Sequence, residues 1–251
     1  MQIMTLFSGS KGNCALLTTD NTKILIDCGT SYTALTRALK NAGVAPRQID
    51  AIFITHSHSD HISGLFDFLK YNAAAQVFVH KEGYNELYGK VFWEADTFEQ
   101  GFKYKDLQVD FYRCSHDASC CVGYCFKAES KSICYITDTG CVNDKLVDFV
   151  KGCDSLVIES NHDRKMLVQG SYPYYLKKRI EGSSGHLSNE QTASLLDAVL
   201  GYGTTKILLA HLSENNNKPL LALNCARGVA EKRGVKVEIF VASQNEISEV
   251  I

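Results

Sequence analysis

Four side chains of the types that bind metal ions occur within six residues of this sequence, in the run His56-Ser57-His58-Ser59-Asp60-His61. The apolar segment 51–55 precedes the run and has the character of a strand buried on both faces. His56 and His58 are two residues apart, so they project to the same side of an extended backbone. Asp60 and His61 fall at the start of the next predicted helix and could face a second ion. The run therefore predicts a metal site.

A simpler interpretation is that this loop only caps the helix that follows it, with Ser59 or Asp60 as the capping residue. Capping accounts for one residue, but it does not explain why three of the chain's eight histidines stand together. Metal binding accounts for all of them.

Two ions need more ligands than the run supplies, and three further candidates stand just past apolar strand-like segments. His116 follows segment 107–113, Asp138 follows 132–137, and His211 follows 206–210. Taken singly, each is compatible with an ordinary loop or surface residue. Taken with the run, they are candidate ligands.

The remaining pattern predicts strands and helices interspersed along the chain. Helices are predicted over residues 31–41, 62–71, 143–150, 174–180, 188–200 and 219–233, the first capped by Thr30 or Ser31 and stopped by Gly43. Strands are predicted over residues 2–8, 14–19, 23–27, 51–55, 77–80, 107–113, 122–128, 132–137, 155–159, 206–210 and 236–241. Antiparallel strands with interspersed helices favour an α/β sandwich over a doubly wound parallel sheet.

The composition is that of an ordinary packed protein, with 251 residues, 45% hydrophobic and 22% charged. Three prolines and no Ser/Gly/Pro-rich linker predict a single domain over residues 1–251. We find neither a secretory signal nor an apolar stretch of about 20 residues, so a cytoplasmic location without membrane contact is expected. Ten cysteines without a CxxC pair are expected to be buried, reduced thiols. A net charge of −2 gives no global attraction for nucleic acid, so phosphate binding would need a local positive patch or bound cations.

The histidine run and the later His, Asp and His resemble the metallo-β-lactamase superfamily across nearly the full chain. That resemblance implies an α/β fold, a four-layer αββα sandwich with two mixed sheets. Further segments resemble the YycJ/WalJ-like branch, namely Ser8-Gly9-Ser10-Lys11-Gly12-Asn13-Cys14, Glu159-Ser160-Asn161-His162-Asp163, Tyr172-Pro173 with Lys177-Lys178-Arg179-Ile180, Gly185-His186-Leu187-Ser188-Asn189, and His211-Leu212-Ser213 with Asn216-Asn217. One departure is Cys121-Val122 before Gly123-Tyr124, where a proline is expected; it puts the rigidity of that loop in doubt but removes no ligand.

The resemblance also implies the ligand set. His56, His58 and His116 would bind one divalent ion, and Asp60, His61 and His211 would bind the second. Asp138 would bridge the two. An all-His/Asp set accepts Zn²⁺, Mn²⁺ or Fe²⁺.

Two such ions can share a hydroxide as nucleophile and neutralise charge on a phosphoryl group. Among the ligands, Asp60 is also predicted to be catalytic. His186 is the candidate to protonate the leaving oxygen, because a similar Gly-His-Ser/Thr element serves ribonuclease Z-like nucleases; a histidine beside the helix cap Ser188 is the alternative.

Four residues are candidates to bind substrate: Lys11, Asn13, His162 and Lys178. The loop 9–13 could present backbone N–H groups to a phosphate, or it could simply be a glycine-rich turn. The basic run at 177–179 could contact a nucleic-acid backbone, or it could be a solvated helix face. His162 could instead support a ligand.

The expected function is a dinuclear metal-dependent phosphodiester hydrolase, and the branch resemblance implies a 5′→3′ DNA exonuclease. A phosphodiesterase for a cyclic nucleotide or cyclic phosphate is the alternative, because the same site would serve both. Thioester or lactam hydrolysis is a further alternative, disfavoured by Asp138 where thiol-dependent members carry cysteine. A regulatory module that only retains the metals is disfavoured by the complete ligand set. Fold alone does not choose among these.

Overall fold

The computed structural model describes residues 1–91 and 93–251, and within them the strands form two mixed sheets. The first sheet contains, in spatial order, β1 (Gln2–Phe7), β2 (Cys14–Thr18), β3 (Lys23–Ile26), β4 (Ala51–Phe53), β5 (Gln76–His80) and β6 (Asp96–Phe98). The second contains β7 (Phe102–Tyr104), β8 (Leu107–Arg113), β9 (Val122–Ala128), β10 (Lys131–Ile136), β11 (Ser155–Glu159), β12 (Lys206–Ala210) and β13 (Glu238–Val241).

Each sheet is antiparallel in its first part and parallel in its second. In the first sheet β1, β2 and β3 pair antiparallel, and β3 to β6 pair parallel. In the second sheet β7 to β10 pair antiparallel, and β10 to β13 pair parallel. The carboxyl ends of the parallel strands therefore share one edge in each sheet.

The helices lie between and after the strands. They are α1 (Tyr32–Asn41), α2 (Ser59–Ile62), α3 (Leu65–Tyr71), α4 (Lys81–Val91), α5 (Asp144–Val150), α6 (Arg164–Gln169), α7 (Tyr174–Glu181), α8 (Asn189–Val199) and α9 (Pro219–Arg233), with a 3₁₀ turn at Pro46–Gln48. Among the described residues, no helix combines the length and apolar character that crossing a bilayer requires.

Strand alternation builds three apolar layers. In β3, Ile24 and Ile26 point into the space between the sheets, while Leu25 points toward α1 and α3. In the second sheet Leu208 faces the first sheet, and Leu209 faces the layer of α5, α8 and α9. Helices therefore cover both outer faces, and the expected αββα sandwich is confirmed.

Several element boundaries differ from the sequence-based prediction. The helix predicted over residues 62–71 is divided into α2 and α3 around Gly64. A Cβ there would lie 1.8 Å from the carbonyl oxygen of Thr30, so only glycine permits this approach of the two segments. The elements β6, β7, α4 and α6 were not predicted. The caps at Ser31 and Ser188 are confirmed, since each side chain accepts a hydrogen bond from its helix's first turn.

Candidate metal centre

The predicted ligands meet where strands of both sheets end. The histidine run follows β4 of the first sheet, whereas His116, Asp138 and His211 follow β8, β10 and β12 of the second. Because β10, β11 and β12 are parallel neighbours, Asp138, Glu159 and His211 lie side by side at one edge. The strand ends thus bring together all seven predicted metal ligands.

The first cluster consists of His56, His58 and His116, each of which offers a ring nitrogen within 4.8 Å of those of the other two. His116 Nε2 and His58 Nδ1 are 3.3 Å apart. Two nitrogens bound tetrahedrally to one zinc ion at ordinary bond lengths would lie roughly 3.3–3.4 Å apart. The pair therefore has the spacing of two ligands of one ion.

The second cluster consists of Asp60, His61 and His211, whose ligand atoms also lie within 4.8 Å of one another. Asp60 Oδ2 is 3.5 Å from His61 Nε2 and 3.9 Å from His211 Nε2. The clusters join at Asp138. Its Oδ2 lies 3.3 Å from His61 Nε2, and its Oδ1 lies 3.7 Å from His116 Nε2. The carboxylate of Asp138 therefore faces both clusters.

Hydrogen bonds fix which ring nitrogen each of four histidines presents. A carboxylate or carbonyl oxygen only accepts, so the Nδ1 of His61 donates to Asp27 at 2.7 Å and that of His116 donates to the Gly185 carbonyl at 3.1 Å. His211 Nδ1 likewise donates to Glu159 at 2.8 Å. Nε2 is left facing the clusters in each case, and that of His61 also lies 3.0 Å from the Asn13 amide nitrogen.

His56 reaches the same state through Thr55. The Thr55 hydroxyl donates to Asp27 Oδ2 at 2.8 Å, so its oxygen accepts from His56 Nδ1, 3.0 Å away. Burial among neighbouring imidazoles holds the pKa of His56 well below its usual value. His56 is therefore neutral, as a metal ligand must be.

Unpartnered buried atoms test whether the clusters fit a cation. Among the described residues, His56 Nε2, Asp138 Oδ2 and His211 Nε2 are buried without a hydrogen-bond partner, although such atoms are nearly always paired in folded proteins. Burial lowers the pKa of His61, but Asp138 and Asp27 outweigh it and raise that pKa to about 9. The negative charge that favours a proton there equally favours a cation. The centre therefore fits divalent-metal binding.

Two buried carboxylates hold the histidines from behind, and the sequence reasoning assigned neither of them this role. Asp27 follows β3 and also accepts from the backbone of Thr55 at 2.8 Å. Glu159 ends β11, and its Oε1 accepts from both His186 and His211, each at 2.8 Å. Both residues end apolar strands, the same pattern that led to Asp138, so that pattern could have found them.

His186 lies beside the clusters on the wall of a cleft of about 260 Å³. Its ring is 5.1 Å from that of His116 and 5.2 Å from that of His211. Since Nδ1 is bound to Glu159, Nε2 is the free ring nitrogen. The same wall includes Tyr172 and Arg179.

The four predicted substrate-binding residues lie in different environments, two of them exposed and two buried. Lys11 is exposed and pairs with Glu214 at 2.6 Å, and Lys178 is exposed and pairs with Glu181 at 3.2 Å. Asn13 is buried, and its amide bonds to Gly9 and lies within 3.3 Å of Asp60 Oδ2.

His162 is 1% exposed, and both of its ring nitrogens lack a partner among the described residues. Burial lowers its pKa to about 4. Neither Asn13 nor His162 lines the cleft, so the contact of these two side chains with substrate stays a prediction.

This fold and site define a class. A sequence profile of the β-lactamase superfamily domain matches residues 22–212. The metallo-β-lactamase fold protein YhfI from Bacillus subtilis superposes with a TM-score of 0.77 at 17% identity, covering 100% of this chain and 98% of that one. The chain is thus a member of the β-lactamase superfamily.

Relatives with higher sequence identity show which family within the superfamily the chain belongs to. Exodeoxyribonuclease WalJ of Streptococcus pneumoniae is 37% identical over 225 residues, 86% of this chain and 83% of WalJ. Exodeoxyribonuclease YycJ of Bacillus anthracis is 35% identical over 243 residues, 94% of this chain and 92% of YycJ. Within the superfamily, the chain belongs to the WalJ/YycJ family.

Proposed function

We propose that this protein is a dinuclear metal-dependent phosphodiesterase that acts as a DNA exonuclease, with 5′→3′ direction. The observation that carries the proposal is the pair of clusters joined by Asp138. His56, His58 and His116 would hold one ion, Asp60, His61 and His211 would hold the other, and Asp138 would bridge them. The names of the WalJ and YycJ relatives support DNA as the substrate, and a DNA substrate suits the expected cytoplasmic location.

Two divalent cations, when bound, supply Lewis-acid stabilisation of the charge on a phosphoryl group and activation of water. The chain's own residues orient the reaction. One carboxylate oxygen of Asp60 points at His61 and His211, the other two members of the second cluster. The buried amide of Asn13 lies beside that oxygen and restrains it. We therefore assign Asn13 a role in positioning Asp60.

His186 supplies the proton that the leaving oxygen needs. Glu159 fixes its ring by accepting from Nδ1. The doubly protonated ring would give its Nε2 proton to the leaving oxygen on the cleft side and keep its Nδ1 proton on Glu159. The same Glu159 oxygen orients His211. One carboxylate therefore sets the geometry of both the proton donor and a metal ligand.

The substrate strand would approach over α7. Tyr174 and Tyr175 are 75% and 74% exposed, so their rings are free to stack on bases. Lys178 lies on the same helix with its Nζ 5.8 Å from the Tyr174 ring. Lys11 stands on the loop next to Ser10, which lines the cleft. These two lysines would contact the nucleic-acid backbone outside the reacting group.

The direct test is the activity of purified protein loaded with Mn²⁺ or Zn²⁺ on end-labelled duplex DNA, single-stranded DNA and RNA. We expect mononucleotides to be released from the 5′ end of DNA. His58→Ala, shown to be folded by circular dichroism, should release none. Fully metallated protein that cleaves cyclic nucleotides but no polymer would replace this proposal with the small-molecule alternative.

A further inference from the structure

Arg179 is a charged residue of the cleft wall that the chemistry above leaves without a role. It lies on α7, and of the lysines and arginines that the structure describes it alone lines the cleft. The other charged groups on that wall are Asp60 and Asp138, together with the histidines. Arg179 therefore provides the only permanent positive charge that these described lining residues contribute.

Asp117 holds the Arg179 guanidinium close to the first metal cluster. Arg179 Nε donates to Asp117 Oδ2 at 2.5 Å. The other oxygen of Asp117 lies 3.5 Å from His116 Nε2 and 3.8 Å from His58 Nε2. The guanidinium is thus separated from the first cluster by a single carboxylate.

The remaining donors of Arg179 are available to a ligand. Neither Nη1 nor Nη2 has a hydrogen-bond partner within the described part of the chain, and the side chain is 59% exposed. A guanidinium fixed through Nε still presents a planar pair of Nη groups, which matches the oxygens of a phosphate. Asp117 would orient that pair without using it.

We propose that Arg179 binds a non-bridging oxygen of the reacting phosphodiester and that Asp117 is its positioning residue. The proposal rests on the phosphodiesterase function proposed above and names the part of the substrate that Arg179 contacts. The competing interpretation is an ion pair that only ties α7 to the loop after β8.

The test compares wild type, Arg179→Ala and Arg179→Lys, with Arg227→Ala as the matched control because Arg227 is exposed on α9, away from the cleft. All are loaded with Mn²⁺. Calorimetry measures the binding of inorganic phosphate, and kinetics measure kcat/KM for single-stranded DNA and for the small diester bis(p-nitrophenyl) phosphate.

Removing Arg179 should weaken phosphate binding roughly 10- to 100-fold, the range for a hydrogen bond to a charged group. It should lower kcat/KM for both substrates by the same factor. Added guanidinium chloride should partly restore the Ala variant. Arg179→Lys should fall between, because lysine keeps the charge but cannot bond Asp117 and a phosphate with one planar fork.

Two results would overturn the proposal. A loss confined to DNA would mean that Arg179 contacts the backbone away from the reacting group. Unchanged phosphate affinity in Arg179→Ala would reduce the residue to an ion pair. Phosphate binding needs no turnover, so the two proposals can fail separately. If wild type cleaves neither substrate but binds phosphate more tightly than Arg179→Ala does, the proposed function is refuted and the anion site at Arg179 is kept.

Discussion

Asp27, Asp138 and His211 share an uncommon backbone conformation, with φ of 63°, 57° and 55°. Asp27 and His211 directly follow β3 and β12, and Asp138 follows the end of β10 after one intervening residue. Non-glycine residues in this left-handed region cost about 1–3 kcal/mol each and cluster at functional sites, and Asp and Asn tolerate it best. The turn directs each side chain back to the metal centre. Local stability is therefore given up where the geometry of the site requires it.

Asp27→Asn should weaken divalent-metal binding by about 10- to 100-fold, the usual effect of losing a carboxylate partner of a metal-binding histidine. Asparagine keeps the size of aspartate and tolerates φ near 63°, so the change isolates the charge that faces His61. Competition with a chromophoric zinc chelator measures the affinity. Asp144→Asn, on exposed α5 surface, is the control, and equal affinities in the two variants would refute the role of Asp27.

His186→Ala should lower kcat by about 10²–10⁴, the range for loss of a general acid, with the metal content unchanged. Glu159→Gln should lower both kcat and metal affinity, because Glu159 orients His186 and His211 together. Metal analysis beside steady-state kinetics separates the two effects. Loss of metal from His186→Ala would make His186 a ligand or its support, not the proton donor.

At the scale of elements, most strands were predictable because they consist of an apolar run that the chain buries. The first ligand after β4, β8, β10 and β12 comes within three residues of the end of its strand. Helix α4 was missed because its sequence contains Gly83 and Gly89. Strands β6 and β7 were missed because each buries only one of its three residues, so neither shows an apolar run. The pairing of Asp27 with His61 and of Glu159 with His211 spans 34 and 52 residues. Such convergence depends on the sheet order, which local patterns do not contain.

The N-terminal cap of helix α8 is expected to help position His186. Ser188 and Gln191 form a capping box at its start, two residues after His186. Ser188→Ala should lower the free energy of unfolding by about 0.5–2 kcal/mol and should also lower kcat, because the segment that carries His186 loses its anchor. Urea denaturation and kinetics measure both.

The matched control for this prediction is Ser31→Ala, which removes the cap of α1. It should cost similar or less stability and leave kcat unchanged. If Ser188→Ala loses stability but keeps full kcat, the cap serves the helix alone.

At the scale of the whole molecule, the metal centre joins the two sheets. The first sheet contributes Asp27 and the histidine run, and the second contributes His116, Asp138 and His211. The interior layer between the sheets also holds them together, with the Phe53 ring 5.4 Å from that of Phe126 and 5.7 Å from that of Tyr124. Bound ions would therefore link the two sheets beside this apolar contact.

Metal removal should for this reason lower the stability of the whole fold. An ion that binds only the folded state adds about 2.7 kcal/mol when its free concentration is one hundred times Kd, which corresponds to a Tm shift of about 5–10 °C for a chain of this size. Scanning calorimetry with and without EDTA measures the shift. His58→Ala, which lacks a ligand of the first cluster, should show a smaller one. An identical Tm in wild type with and without chelator would contradict the view that the ions hold the two sheets together.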